Sequence, residues 1–197
     1  MPLGAFKAAL MGTAGVSTAD VVLLSTQTAS GADEVDFSSG IDSTYKEYIF
    51  KFYNLNPATD DVDFTFQVNA TDGADYNDSA ITSTYFTSSR DEAGTVVTTP
   101  TYQTGLDKAQ GTTFQELTNG SGNGGDESIA GELHLFNPAS TTYVKHFIGR
   151  FNAYASNSSI KLTYPAGYIN DATAIDDVRF KMSSGAFDGK IKMWGVK

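Results

Sequence analysis

Alternation of apolar and polar residues is the strongest pattern in this chain, and it is clearest from Val62 to Ala70. Val62, Phe64, Phe66 and Val68 fall on one face of an extended segment, and the residues between them are polar. A period of two with one apolar face is typical of an antiparallel strand that turns one side to a core. The sequence therefore predicts a half-buried strand here.

A second aromatic strand is predicted from Tyr45 to Leu55, shortly before the first. Tyr48, Phe50 and Phe52 share one of its faces. Between the two strands, Pro57 presets φ for a turn, and neighbouring Asn and Asp side chains can bond to the backbone. We expect either a hairpin or a short connection between two sheets.

The same arrangement recurs farther along the chain. Ser128 to Phe136 and Thr141 to Ala155 have strand patterns, and Asn137-Pro138-Ala139-Ser140 separates them, much as Asn56-Pro57-Ala58-Thr59 follows the earlier aromatic strand. The match covers only four residues. It is either coincidence or a sign of two related strand pairs in one sandwich.

Six further strands are predicted. The longer two are Asp177 to Met182 and Gly189 to Val196, and the shorter four are Val21 to Thr26, Glu34 to Phe37, Thr112 to Leu117 and Ser159 to Tyr164. Two stretches are predicted as loops, Asp72 to Asp78 and the glycine-rich Asn119 to Asp126, the second of them flexible or sharply folded. Roughly nine or ten short strands without a long helical period favour an all-β fold. The prediction is a jelly-roll-like antiparallel β-sandwich over residues 20–197 with an aromatic core.

Residues 1–19 differ from the rest and are predicted to form a short N-terminal arm for attachment or assembly. Leu3, Phe6 and Leu10 follow a helical spacing among alanines, which indicates a short amphipathic helix. Such a helix is too short to be stable alone, so either the flank of the domain or a neighbouring subunit is expected to hold it. A signal peptide is not expected, because no basic region precedes the apolar stretch and Lys7 interrupts it.

Composition narrows the classes of partner. The 197 residues include 13 Phe and 10 Tyr, enough for a sizeable core, and no Cys, which excludes disulfides and thiolate metal sites. Against 13 Lys and Arg stand 23 Asp and Glu, a formal charge of −10. Such a surface repels nucleic acid and anionic lipid. No apolar run of about 18 residues occurs, so membrane insertion is not expected.

Catalytic signatures are sparse, and the chain is predicted not to be an enzyme. The only histidines, His134 and His146, lie at outward strand positions, and the sequence has no nucleophile elbow and no phosphate-binding glycine motif. Most carboxylates lie in or beside turns. Only Glu47, Glu116 and Glu132 lie well inside predicted strands.

Calcium is the one cofactor that the sequence suggests. Asp72, Asp75, Asn77 and Asp78 place four oxygen donors within seven residues, and Ca²⁺ accepts such ligands in flexible geometry. The EF-hand spacing is not met. Asp and Asn also favour ordinary turns, which is the alternative interpretation.

Several tyrosines in loops or on second strand faces are candidates for contact with carbohydrate or protein. They are Tyr53, Tyr76, Tyr85, Tyr102 and Tyr168. A rigid amphipathic ring gives contact area at low entropic cost. Burial under loops is the alternative for each.

Five stretches resemble virion structural proteins of marine tailed bacteriophages. They are MPLGAFKAAL, DFSSGIDSTYKEYIFKFYNLNPATDDVDFTFQVN, YQTGLDKAQGTTFQEL, SIAGELHLFNPASTTYVKHFIGRFNAY and FKMSSGAFDGKIKMWGV, which together span nearly the whole chain. The resemblance lies in strand-and-turn phrases, such as the closing Trp194-Gly195 pair, and includes no catalytic signature.

The resemblance implies a virion component whose partners are other virion proteins. It also implies a homo-oligomer, for which a trimer is one form. A capsid decoration protein of the knob or cement type would use the arm and one flank of a sheet to grip the coat lattice. A tail or tail-fibre protein would instead use loops to bind host surface glycans. Outside viruses, a cellular carbohydrate-binding module is the remaining alternative.

Overall fold

The computed structural model describes residues 20–71, 75–76, 79–95 and 98–197, and within these ranges it contains thirteen β-strands and no helix. The predicted arm, with Leu3, Phe6 and Leu10, lies outside the described residues. The strands are β1 Val21–Ala32, β2 Glu34–Phe37, β3 Glu47–Pro57, β4 Phe64–Ala70, β5 Ile81–Asp91, β6 Thr101–Tyr102, β7 Ala109–Gly111, β8 Gln115–Glu116, β9 Ile129–Phe136, β10 Lys145–Ala155, β11 Ser159–Ile169, β12 Ile175–Met182 and β13 Phe187–Val196.

The strands form two antiparallel sheets of unequal size. The nine-stranded sheet has the order β1-β13-β3-β9-β10-β11-β5-β6, with β7 also paired to β5, and the four-stranded sheet has the order β2-β12-β4-β8. From β1 to β5 the chain passes to the other sheet at every step, which agrees with a jelly-roll-like arrangement. The prediction of an all-β antiparallel sandwich is confirmed.

Aromatic rings from both sheets fill the space between them. The ring of Phe180 on β12 lies 5.2 Å from that of Phe50 and 5.1 Å from that of Phe52, both on β3 of the other sheet. On the adjacent β4, the Phe66 ring lies 5.1 Å from that of Phe147 on β10. Edge-on and tilted packing of this kind adds to the energy of apolar burial. The predicted aromatic core is confirmed.

Strand β4 is buried on both faces, and the prediction of a half-buried strand is wrong. Its apolar face enters the core as expected, but Thr65, Gln67 and Asn69 on the other face are at most 6% exposed. Residues just before β5 and β8 contact Gln67, the central one of the three. The Gln67 Nε2 donates to the carbonyl oxygens of Ser79 at 3.3 Å and Thr112 at 2.9 Å. Alternation could show which face is apolar but not what covers the polar one.

The two Asn-Pro-Ala turns make different connections. The first lies between β3 and β4, which belong to different sheets, so the sheet-to-sheet alternative is correct and the hairpin is not. The second joins β9 and β10, which are hydrogen-bonded neighbours in one sheet. The hypothesis of two related strand pairs is therefore wrong, because the shared phrase serves two topologies.

Other strand boundaries also differ from the prediction. The eleven-residue strand β5 was not predicted, since Ser and Thr occupy many of its positions. Strands β1 and β11 extend to Ala32 and Ile169, well past their predicted ends. Of the predicted strand Thr112 to Leu117, only Gln115 and Glu116 are strand residues.

Two glycine-containing features have physical explanations. A Cβ on Gly195 would lie 2.5–2.7 Å from ring carbons of Tyr45, so only glycine fits beneath that ring.

The glycine-rich loop before β9 is sharply folded and held by side chains. The Gly120 N–H donates to Asp63 Oδ1 at 2.8 Å, and the Gly124 N–H donates to Glu127 Oε2 at 2.7 Å.

Candidate functional site

Exposed apolar side chains are concentrated on the face of the nine-stranded sheet that points away from the four-stranded sheet, which we call the outer face. Nine large apolar residues are exposed among the described residues, and eight of them lie in strands of this sheet. The eight are Val21, Leu23, Tyr53, Phe86, Tyr102, Ile148, Ile160 and Tyr164. Single exposed apolar residues are ordinary, but their concentration on one face makes that face the candidate interaction surface.

The aromatic patch comprises Phe86, Tyr102, Ile148, Ile160 and Tyr164 at one side of the outer face. Strand register places Tyr164 opposite Phe86, and Phe86 opposite Tyr102, so three rings cross three neighbouring strands. The Phe86 and Tyr102 rings meet edge-on at 5.2 Å. Ile148 is 54% exposed and Ile160 is 47% exposed. Water therefore contacts much of this apolar surface in the single chain.

The edge patch comprises Val21, Leu23, Ile49, Trp194 and Val196 at the other side of the outer face. Leu23 pairs with Trp194, which in turn pairs with Ile49, across strands β1, β13 and β3. The Trp194 Nε1 is buried, and no hydrogen-bond partner faces it among the described residues. A buried indole N–H normally finds an acceptor, so this unpaired donor is unusual within the described structure.

The charged band comprises Glu47, Lys51, Glu132, His134 and Arg150 and separates the two patches. Glu132 is its centre, with one carboxylate oxygen 3.6 Å from Lys51 Nζ and the other 3.5 Å from Arg150 Nη2. His134 Nδ1 contacts Glu47 Oε1, and its Nε2 lies 3.9 Å from Glu132. Exposed ion pairs contribute little to stability. Across an interface, however, they fix register and partner choice.

The outer side of the four-stranded sheet is largely covered by its own chain. Arg179 makes a bidentate pair with Asp36, at 2.8 and 2.6 Å, and its guanidinium lies 4.4 Å from the centroid of the Tyr76 ring. Lys181 lies 4.2 Å from the ring centroid of Phe114. Burial, with Asp36 and other acids nearby, raises the pKa of Tyr76 to about 12. This side therefore offers less open apolar surface than the outer face.

The predicted assembly and calcium residues fall mostly outside the described ranges. Leu3, Phe6 and Leu10 do so, and so do Asp72, Asn77 and Asp78, which leaves Asp75 as the one described member of the calcium set. Within the described part of the chain, no group of three or more His, Asp or Glu side chains could hold a metal ion. The calcium hypothesis stays a prediction.

The two histidines are not cross-strand partners. The register places His134 opposite Ile148, and His146 opposite Tyr168. His134 instead joins the charged band through Glu47 and Glu132, two of the three carboxylates that sequence patterns placed inside strands. The third, Glu116, forms an ion pair with Lys108 at 2.9 Å.

The five candidate tyrosines have different environments. Tyr53 and Tyr102 are exposed on the outer face, and Tyr168 is half-buried there beside His146. Tyr76 packs beneath Arg179 as described. Tyr85 is fully buried, so for this residue the alternative of burial applies and not that of surface contact. Strand alternation from Ile81 could have revealed this, because Tyr85 shares a face with Ile81 and Ser83.

No protein-family model matches this chain, and no curated protein matches it. Within the described residues there is also no helix that is long and apolar enough to cross a membrane.

Proposed function

We propose that this chain is a structural protein of a bacteriophage particle, a capsid decoration protein that attaches to the coat through its outer face. The observation that carries the proposal is the concentration of eight exposed apolar side chains on that one face. Apolar surface of this kind is stabilised when a partner removes it from water. The resemblance of the sequence to virion structural proteins supports the particle as the setting.

The arrangement of the outer face suits docking in a fixed orientation. Two apolar patches would supply the burial, and the charged band between them would set the register. A neighbouring subunit that placed a like charge opposite Glu132 or Arg150 would be rejected. A decoration protein repeated over a coat lattice needs this specificity, because every copy must attach in the same way.

The predicted arm would join the same surface. Residues 1–19 lead directly into β1, which is the edge strand beside β13 and carries Val21 and Leu23 of the edge patch. An arm that starts there can reach the partner that covers the outer face. The arm and the outer face would therefore attach to the same partner.

The proposal is tested by placing a charge in the aromatic patch. The variant Phe86→Glu would put a carboxylate between Tyr164 and Tyr102, where a docked partner would exclude water from it. We expect the folded variant to be lost from purified particles, as measured by quantitative mass spectrometry against the major coat protein. The matched control Ser184→Glu adds the same charge in an exposed turn outside the nine-stranded sheet and should be incorporated normally.

Incorporation of folded Phe86→Glu at the wild-type level would show that the outer face is not the attachment surface. The same measurement separates the two placements in the particle. Copies in the hundreds support decoration of the capsid, whereas copies in the tens or fewer support the tail.

A further inference from the structure

The inner face of the nine-stranded sheet extends beyond the four-stranded sheet and becomes polar there. On β5, Ile81, Ser83 and Tyr85 are buried, but the next two inward residues, Thr87 and Ser89, are only half-buried. The four-stranded sheet ends nearby with β8, which is two residues long. Among the described residues no apolar layer covers this end of the sheet, and a cleft lined by polar side chains replaces the core.

A cavity of about 310 Å³ occupies this end of the sandwich, which we call the polar pocket. Its lining consists of hydroxyls, amides and one ammonium group, and the residues are Thr87, Ser89, Thr98, Thr101, Gln103, Asn119 and Lys161. Small-molecule sites begin at about 300 Å³. The pocket is therefore large enough for one small ligand or for one residue of a longer one.

The side chains that line the polar pocket are already held in place. The Ser89 N–H donates to Thr98 Oγ1 at 2.6 Å, and the Gln103 Nε2 donates to Thr87 Oγ1 at 3.0 Å. Lys161 Nζ donates to the carbonyl oxygen of Asn119 at 3.0 Å and to its Oδ1 at 3.2 Å. Because these side chains are ordered before a ligand arrives, binding need not fix them.

The polar pocket has one positively charged side chain, and its ammonium group is already hydrogen-bonded within the protein. Lys161 is the only charged residue in the lining. Its ammonium group bonds to Asn119, and the side-chain amide of Asn119 and the N–H of Gly120 both donate to the carboxylate of Asp63. Burial raises the pKa of Asp63, and the charge of Lys161 opposes that shift, so the two groups interact. Two of the three donor positions of the Lys161 ammonium group are already used by the two oxygens of Asn119, which leaves one for a ligand.

The remaining lining groups favour a ligand that both donates and accepts hydrogen bonds. A Ser or Thr hydroxyl does both, and so does a Gln or Asn amide. Sugar hydroxyls have the same dual character, whereas an anion offers only acceptors. We propose that the polar pocket binds one residue of a neutral saccharide.

The affinity of a single polar pocket should be weak. Each hydrogen bond to the sugar replaces one to water, so the net gain per bond is small, and the lining has no aromatic ring on which a sugar could stack. A dissociation constant on the order of 1 mM is expected. If the proposed function holds, many copies on one particle would multiply weak contacts into avidity. Binding by the isolated chain does not depend on that function.

The test is an NMR titration of the full chain with methyl glycosides of glucose, galactose and mannose and with N-acetylglucosamine, beside glucuronate as an anionic probe. At least one neutral sugar should shift the amide signals of Thr87, Ser89 and Thr101. The variants Thr87→Val and Thr101→Val should each weaken that binding about five- to tenfold. The matched control Thr84→Val removes an exposed hydroxyl from the outer side of the same strand and should bind normally.

The proposal is overturned if no neutral sugar shifts these signals at about 50 mM, a concentration far above the expected dissociation constant. Tighter binding of glucuronate than of every neutral sugar would overturn the neutral class. Shifts confined to the outer face would overturn the location. Should Thr87→Val fail to fold, Lys161→Met is the second variant, and unchanged sugar binding by it would count against the pocket. Particle incorporation tests the proposed function separately.

Discussion

The four-stranded sheet has polar side chains on a covered face, whereas the nine-stranded sheet has apolar side chains on an open one. On β4, Gln67 is fully buried and hydrogen-bonded to loop carbonyls. On β10, Ile148 is 54% exposed. In each case the side chain alone suggests the opposite environment. The comparison shows that loops cover polar side chains of the small sheet within the chain, while apolar side chains of the large sheet stay open to water among the described residues. That open surface is the one we propose as the attachment face.

The largest expected effect comes from the core that both sheets share. Phe66→Ala, or Phe64→Ala, should lower the free energy of unfolding by about 3–5 kcal/mol, because each ring is fully buried among other rings. Phe86→Ala on the outer face is the control and should cost less than about 1 kcal/mol. Urea unfolding measures both. A change under about 1 kcal/mol at both core positions would contradict the observed register of β4.

The covered polar face of the small sheet is tested at Gln67. Replacement by Leu leaves the carbonyl oxygens of Ser79 and Thr112 without their amide donor, which should cost about 1–3 kcal/mol. Gln27→Leu, at an exposed position of β1, should change the free energy of unfolding by less than about 0.5 kcal/mol. Equal effects in urea unfolding would show that loops do not protect β4 as described.

The open face of the large sheet is tested at Ile148. In the isolated chain, Ile148→Ser should change the free energy of unfolding by no more than about 0.5 kcal/mol, since the side chain is half in water already. In purified particles, the same variant should dissociate faster than wild type when the particles are diluted. A large loss of stability in the isolated chain would mean that the residue serves the fold rather than a partner.

The smallest expected effect is a pH dependence that has opposite signs at two carboxylates. Burial raises the pKa of Asp63 above its ordinary value of 3.8, with the Gly120 N–H and Lys161 opposing. The folded chain then binds that proton more tightly than the unfolded chain. Asp63 therefore lowers stability as pH rises from 3.8 through its raised pKa. In Asp63→Asn, this part of the pH dependence should disappear from urea unfolding measured across that range.

Asp42 supplies the comparison for Asp63. Hydrogen bonds from Thr44 lower its pKa below 3.8, so its contribution to stability is present above 3.8 and is lost as pH falls through the folded pKa. Asp42→Asn should remove a slope of the opposite sign, below the range in which Asp63 acts. NMR titration of the two side chains checks the directions directly, and the same direction at both would contradict the described environments.

Much of the fold could be predicted, because alternation reports which face of a strand is apolar. It located the core faces of β3 and β4, and it predicted β12 and β13 as strands. It missed β5, where small hydroxyl residues replace apolar ones at the inward positions beyond Tyr85. That loss of pattern has a physical cause, since the inner face there lines the polar pocket and not the core. The strand that the sequence did not predict is thus a strand that lines the candidate binding site.

The candidate surfaces were harder to predict than the fold. The sequence pointed to Leu3, Phe6 and Leu10 and to an unspecified sheet flank for assembly. Three candidate tyrosines lie on the outer face, but the sequence did not indicate that they share a surface with other apolar residues. Its patches are assembled by register from strands far apart in the chain, as when Leu23, Trp194 and Ile49 come together. A pattern within one strand cannot reveal such a row. Only the order of strands in the sheet brings its members side by side.

The pairing of β1 with β13 makes the connectivity of the sandwich nearly circular. Val21 lies opposite Val196, and the Lys197 N–H donates to the Asp20 carbonyl oxygen at 3.0 Å. A few linker residues could therefore join these two positions, and new chain ends could be opened in the exposed turn 183–185 without separating any pair of strands. A permuted chain built from residues 20–197 would keep every strand pair of the outer face.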